Sequence, residues 1–88
     1  MIEKIVYSDR IERVLRRCKH KDRGLFADVQ KHIEKVIREP HIGKPLRYTP
    51  KNRRRVHVGS FVLVYEFFGD ELRFLDFDHH DKIYKRGL

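Results

Sequence analysis

Apolar residues recur along this chain in two different periods, and the change of period divides it. From Ile11 they fall at three- and four-residue spacing, through Val14, Leu15 and Cys18, while Arg10, Arg13, Arg16, Arg17 and Lys19 fill the other faces. That pattern predicts an amphipathic helix with a basic exterior, and Ser8 and Asp9 stand before it as candidate N-caps. A second stripe, Phe26, Val29, Ile33, Val36 and Ile37, follows a break over residues 19–24 (KHKDRG) in which Asp22 can cap what comes next. It ends at Glu39-Pro40, because a residue before proline avoids the helical region. Two helices with a short link make a helical hairpin whose apolar faces need a partner.

After residue 52 the period becomes two. Residues 53–68 (RRRVHVGSFVLVYEFF) read as a β-hairpin around Gly59-Ser60, because glycine takes the positive φ that the first position of a type II′ turn demands. A two-residue loop sets Val58 opposite Phe61, His57 opposite Val62, Val56 opposite Leu63 and Arg55 opposite Val64. One face then carries Val56, Val58, Phe61, Leu63, Tyr65 and Phe67, and is the core face. The other carries Arg53, Arg55, His57, Val62, Val64 and Glu66, and is expected to stay open to solvent. Gly69-Asp70 marks a further tight turn before a strand over 71–77 (ELRFLDF). With a two-residue loop there, Asp76 would point toward the core, which implies a bulge or a longer loop. Residues 2–7 (IEKIVY) read as a short first strand. Residues 41–50 (HIGKPLRYTP) read as irregular, with a short edge segment at 46–48.

The order β, α, α, then three or four strands predicts an α+β fold. A helical hairpin packs on one face of a twisted, mainly antiparallel sheet of four to five strands that includes the N-terminal one. A chain of 88 residues suits one domain, spanning residues 1–88, with a modest core.

Composition changes this picture through charge. The 21 Lys and Arg against 13 Asp and Glu give a net +8, which points to anionic partners, nucleic acid first and an acidic protein second. No stretch approaches the roughly 20 apolar residues of a membrane span and no secretory segment opens the chain, so a cytoplasmic protein without a membrane partner is expected. Cys18 is the lone cysteine, which rules out an internal disulfide, and on a helix stripe it reads as a small buried hydrophobe.

Candidate chemistry is sparse. His79 and His80 invite a metal, with Asp76, Asp78, Asp81 and His57 as further ligands. Adjacent histidines in a strand point to opposite faces, however, so no metal or other cofactor is expected unless the backbone turns there. Ser60, His57 and an aspartate could form a triad, but the turn explains Ser60. Gly43-Lys44 lacks the rest of a phosphate loop, and no small-molecule ligand is expected. What remains is a basic face with a histidine and a nearby tyrosine. That set suits RNA cleavage through the 2′-hydroxyl, which needs a base, cations for the phosphorane oxygens and an acid for the leaving oxygen. Arginine can hold a phosphate through two hydrogen bonds, and either His57 or His80 can titrate near neutrality.

The run GKPLRYTPKNRRRVHVGSFVLVYEF followed by DELRFLDFDHHDKIYKR resembles the RelE branch of the RelE/ParE superfamily of toxin–antitoxin toxins. Its members show a GKPL-type segment, a strand of the form R-x-R-V-G-x-Y-R-x-x-Y and a closing G-H-R-x-x-x-Y pattern. The resemblance implies a ribosome-dependent mRNA endonuclease that cuts by 2′-OH attack and is held inactive by a cognate, RelB-like antitoxin. The site it implies comprises Arg53, Arg55, His57, His80 and Tyr84, with Tyr84 stacking on a substrate base. Lys44, Arg47, Lys51, Arg54, Lys82, Lys85 and Arg86 would hold the RNA backbone. His79 matches the usual histidine of the closing strand. Three positions depart from the pattern: Val62 stands where an arginine is usual, Asp78 replaces a glycine, and His80 replaces a second arginine. Two other readings follow from those departures: a ParE-like poison of DNA gyrase that cuts nothing, and a catalytically weakened relative that binds RNA or antitoxin.

Overall fold

Two short side chains decide where the helices start. In the computed structural model, which describes residues 1–46 and 52–86, strand β1 (Lys4–Tyr7) runs into helix α1 (Asp9–Lys21) at Ser8. The Ser8 hydroxyl accepts from the Ile11 backbone N–H and donates to the Leu75 carbonyl, so the cap also pins the helix to the sheet. Asp22 closes α1 through its backbone N–H and opens helix α2 (Arg23–Arg38) by accepting from the Leu25 N–H. The break expected over six residues therefore shrinks to Asp22 alone, and Gly24 lies inside α2. As expected, α2 stops before Pro40, which starts a single 3-10 turn over Pro40–Ile42.

The rest of the chain builds the sheet from β2 (Lys44–Pro45), β3 (Arg53–Val58), β4 (Phe61–Phe68) and β5 (Glu71–His79), in the order β1-β5-β4-β3-β2. Among the described residues only the β1–β5 pairing is parallel. The β3–β4 register is the one the turn predicts, His57 opposite Val62 and Arg55 opposite Val64, and Gly59 has φ +61°. The edge segment expected at 46–48 is β2, two residues earlier; residues 47 and 48 lie outside those described.

Asp76 resolves the register of β5. The Gly69-Asp70 turn is tight, and a bulge between Val64 and Tyr65 shifts the pairing from Tyr65–Phe74 to Val64–Asp76. Phe74 and Phe77 thereby both stay on the side of α1 and α2, where they join Ile11, Val29, Ile33, Val36, Val58, Leu63, Tyr65 and Leu72 in the main core. Cys18 is buried on its stripe, and burial pushes its thiol pKa up.

The other face corrects the sequence reading. It is not open: a short helix α3 (His80–Lys85) lies across it, and Ile83 packs with Val62, Val64 and Leu46 in a second apolar cluster that Leu75 flanks. Tyr65 ties the two sides of the chain together. Its hydroxyl donates to the Pro40 carbonyl at 2.6 Å and accepts from the Gly43 N–H at 2.9 Å. A Cβ on residue 43 would sit 2.5 Å from that hydroxyl, which is why this approach takes glycine.

Candidate nucleic-acid interface

Arg55 is the centre of the basic face. Its guanidinium lies 5.9 Å from the centre of the Tyr84 ring, a cation–π contact between β3 and α3. The same side chain buries its Nε without a hydrogen-bond acceptor among the described residues. A buried donor without a partner costs about 1–3 kcal/mol, a cost this side chain bears on the basic face. Two strand positions along, on the same face, His57 is exposed and, among the described residues, has no side-chain hydrogen bond or ion pair. An open groove of about 310 Å³ runs beside these residues, lined by Arg55, His57, Lys44, His32 and Lys35 among others. His32 and Lys35 come from α2 and were not singled out from the sequence; their only signal was a polar position next to a core stripe.

His80 arrives from the other end. Its backbone N–H donates to the Ser60 carbonyl, which fixes the start of α3 against the β3–β4 turn. Its ring stacks on His79 at 4.5 Å between centroids, and its Nδ1 lies 3.0 Å from an Asp81 oxygen. Asp81 thus sets a carboxylate beside the imidazole. No hydrogen bond or ring contact joins His80 to His57 among the described residues. Tyr84 is 45% exposed and available for stacking.

The remaining candidates separate. Arg53 pairs with Glu66 across the strands at 3.4 Å. Arg54 points to the opposite face, where it donates to the Gly43 carbonyl at 2.7 Å and lies over the Phe67 ring. Its work is to hold the 3-10 turn and β2, and it does not reach the basic face. Lys44, Lys82 and Lys85 are exposed, whereas Arg47 and Lys51 lie outside the described residues.

Arg86, exposed overall, turns its guanidinium to two carboxylates of the protein. Its Nε and Nη2 donate to Asp76 Oδ2 at 3.1 and 2.9 Å, and Nη2 reaches Asp78 Oδ2 at 3.1 Å. Asp76 Oδ1 in turn accepts from Arg10 Nε at 2.9 Å and from the Phe77 N–H. Asp76 is thus a fully satisfied buried carboxylate that clips α1 and α3 to one strand. Burial alone would raise the Asp78 pKa, but the His79 N–H and the Arg86 guanidinium hold it below the ordinary value.

Val62 is wholly buried between Val64 and Ile83. An arginine at that position would have to lift α3, so this chain has closed over the place where the resemblance expects a cation.

Nor do the two histidines sit as adjacent strand residues on opposite faces. The backbone does turn at the two histidines: His79 ends β5, His80 begins α3, and their ring nitrogens and an Asp81 oxygen lie within 4.8 Å of one another.

A five-stranded sheet with a helical hairpin on one face and a cationic strand on the other defines a small toxin fold. The chain belongs to the family of ParE toxins of type II toxin–antitoxin systems, parDE, whose model matches residues 5–84. It is thus a toxin of the RelE/ParE superfamily. It is 37% identical over 81 residues to "Putative toxin RelE4" of Methanocaldococcus jannaschii, covering 86% of this chain and 84% of the relative. Among solved structures, the YoeB/ParE toxin from Agrobacterium tumefaciens superposes with a TM-score of 0.79 at 16% identity, over 89% of this chain and 99% of that one. The RelB–RelE antitoxin–toxin complex from Methanococcus jannaschii matches with a TM-score of 0.68 at 18% identity, over 92% and 96%. These two likenesses show the fold.

Proposed function

We propose that this toxin is an endoribonuclease that cuts mRNA on the ribosome by 2′-OH attack. The observation that carries the reading is Arg55: a guanidinium with a buried, unpartnered Nε, braced on a tyrosine that is free to stack on a base. A scissile phosphate in the groove that Arg55 lines takes charge-assisted hydrogen bonds from this guanidinium, and its developing negative charge binds more tightly than the ground state. His57 or His80 removes the 2′-OH proton as that oxygen bonds to phosphorus. The bond from phosphorus to the 5′-oxygen breaks, the other histidine protonates the leaving oxygen, and a 2′,3′-cyclic phosphate remains. Lys44, Lys82 and Lys85 add the sequence-independent attraction for RNA, with Arg53, half neutralised by Glu66, contributing less. Arg47 and Lys51 join this set from the sequence alone.

A partner follows from the charge. A chain of net +8 calls for an acidic antitoxin, and the RelE of the Methanococcus jannaschii complex is bound to RelB. We place such an antitoxin, the ribosome and mRNA as the partners of this protein in the cytoplasm.

Purified protein with programmed ribosomes is expected to cut mRNA, and His57→Ala with His80→Ala to abolish the cut while the circular dichroism spectrum is kept. Arg55→Ala should lower cutting by about a hundredfold or more. Cutting undiminished in the double histidine variant refutes the site. One observation favours a second reading: Val62 is buried where a catalytic arginine would be needed, as suits a gyrase poison that cuts nothing. Cleaved DNA trapped on purified gyrase, with mRNA intact on ribosomes, would establish that alternative.

A further inference from the structure

The turn from β5 into α3 gathers more ligand chemistry than RNA cleavage uses. The Asp81 carboxylate faces both histidines: Oδ1 lies 3.0 Å from His80 Nδ1 and Oδ2 lies 3.7 Å from His79 Nδ1. Among the described residues this is the one group of His, Cys, Asp and Glu with ligand atoms close enough to share an ion. Its backbone is fixed on three sides, since the His79 N–H donates to Asp78, the His80 N–H to the Ser60 carbonyl, and the Asp81 N–H to His79 Nδ1 at 3.3 Å.

We infer that His79, His80 and Asp81 form a binding site for a borderline divalent cation of the zinc class. Two imidazoles and one carboxylate, with outward positions left for water, match the ligand set such ions take, whereas magnesium and calcium prefer oxygen alone. Ligands of one tetrahedral zinc lie about 3.4 Å apart, and these three atoms lie within 4.8 Å, so side-chain rotation of half-exposed rings closes the difference. The cation takes the place of the long Asp81 N–H bond at His79 Nδ1 and bridges His80 Nδ1 to the Asp81 oxygen 3.0 Å away. The start of a helix is an unfavourable place for a cation, but α3 has six residues and the Asp81 carboxylate outweighs its dipole.

The site has a consequence that rests on the ribonuclease reading. A cation on Nδ1 ties up the ring of His80 and crowds the approach to its Nε2, so the bound ion holds the toxin in a less active state.

Binding is read first and needs no RNA. Zn²⁺ is titrated into the full chain in competition with a chromophoric chelator, and Co²⁺ is added to a second sample to look for the visible bands of a four-coordinate site. Wild type is expected to take up one ion per chain. His79→Gln with Asp81→Asn, checked for folding by circular dichroism, should weaken binding at least about tenfold, since losing even an outer-shell partner does that much. No uptake by wild type, or equal uptake by the double variant through His20, His32, His41 or His57, overturns the site. Cutting on ribosomes is then compared with and without Zn²⁺ for wild type and for His79→Gln alone, which keeps Asp81 beside His80: a zinc-dependent loss that His79→Gln escapes upholds the link to His80, and unchanged cutting by zinc-loaded wild type refutes it. Absence of cutting under both conditions counts against the ribonuclease reading and leaves the binding result standing.

Discussion

On the side of the sheet that faces α1 and α2, Leu63, Tyr65, Leu72, Phe74 and Phe77 are covered by Ile11, Val29, Ile33 and Val36. On the opposite side, Val62, Val64, Leu46 and Ile83 make a cluster less than half as large, and the surface around it is charged. The two sides are held by different physics. Buried apolar area secures the first, whereas α3 is held on the second by one isoleucine and by polar contacts, Arg86 to Asp76, the His80 N–H to Ser60 and Arg55 against Tyr84. The residues proposed to act on RNA, Arg55, His57, His80 and Tyr84, all belong to the weaker side. Elements that must admit a substrate are drawn from the low-stability end of a fold.

The comparison predicts unequal consequences for truncation. Phe74→Ala should cost about 3–5 kcal/mol, because the ring is wholly buried and stacks on Tyr7 at 5.3 Å. The expected result is a lower urea midpoint, with helix and sheet signals lost together. Asp76→Asn comes next at about 3 kcal/mol, since it leaves the guanidinium groups of Arg10 and Arg86 facing a buried amide. Because Asp76 touches both helical layers, this change should lower the global midpoint and also loosen α3. If Asp76→Asn leaves the midpoint unchanged, the clip is no part of what joins the two sides.

Ile83→Ala sharpens the contrast. About 2–3 kcal/mol should be lost, but locally: amide hydrogen exchange in α3 should rise well before any change in α1, α2 or β4. A midpoint shift as large as that of Phe74→Ala would refute the division into a strong and a weak side. If the protein is the ribonuclease proposed, cutting should fall with α3 undocked, because Tyr84 then no longer braces Arg55.

These differences also explain what could be read from residues alone. The helical stripes and the β3–β4 register were legible because each repeats over several residues and is punctuated by Ser8, Asp22 or Gly59. The irregularity was legible, as a bulge or a longer loop, because Asp76 violates the alternation of its own strand. Helix α3 was not, since six residues with one buried apolar side chain leave no period to detect, and its stability is tertiary. A signal did exist: Val62 and Val64 lie two apart on a face assigned to solvent, and two valines there call for a cover. Among the site residues, the facing of Arg55 and His57 followed from strand parity. The loss of Arg86 to Asp76, and the joining of His79, His80 and Asp81, depended on where the chain turns after β5.

The smallest expected effect concerns acid. The His79 N–H and Arg86 hold the Asp78 pKa below its ordinary value of about 3.9, despite the opposing effect of burial. A carboxylate whose folded pKa is depressed adds stability above its unfolded pKa and loses it as pH falls through the folded one. The Asp78 contribution should therefore be complete at neutral pH and fade only below about pH 4. Because the carboxylate is 22% exposed and its partner 30%, solvent screening keeps the pair in the range of surface ion pairs, about 0.2–1 kcal/mol. Asp78→Asn should thus be slightly less stable than wild type at pH 7, and the gap should close as acid protonates Asp78. Following the Ile83 methyl signals of both proteins by NMR from pH 6 to pH 2 measures this on the weak side. A gap that persists unchanged at pH 2 would mean that Asp78 supports α3 through the shape of its hydrogen bond to His79 and not through its charge.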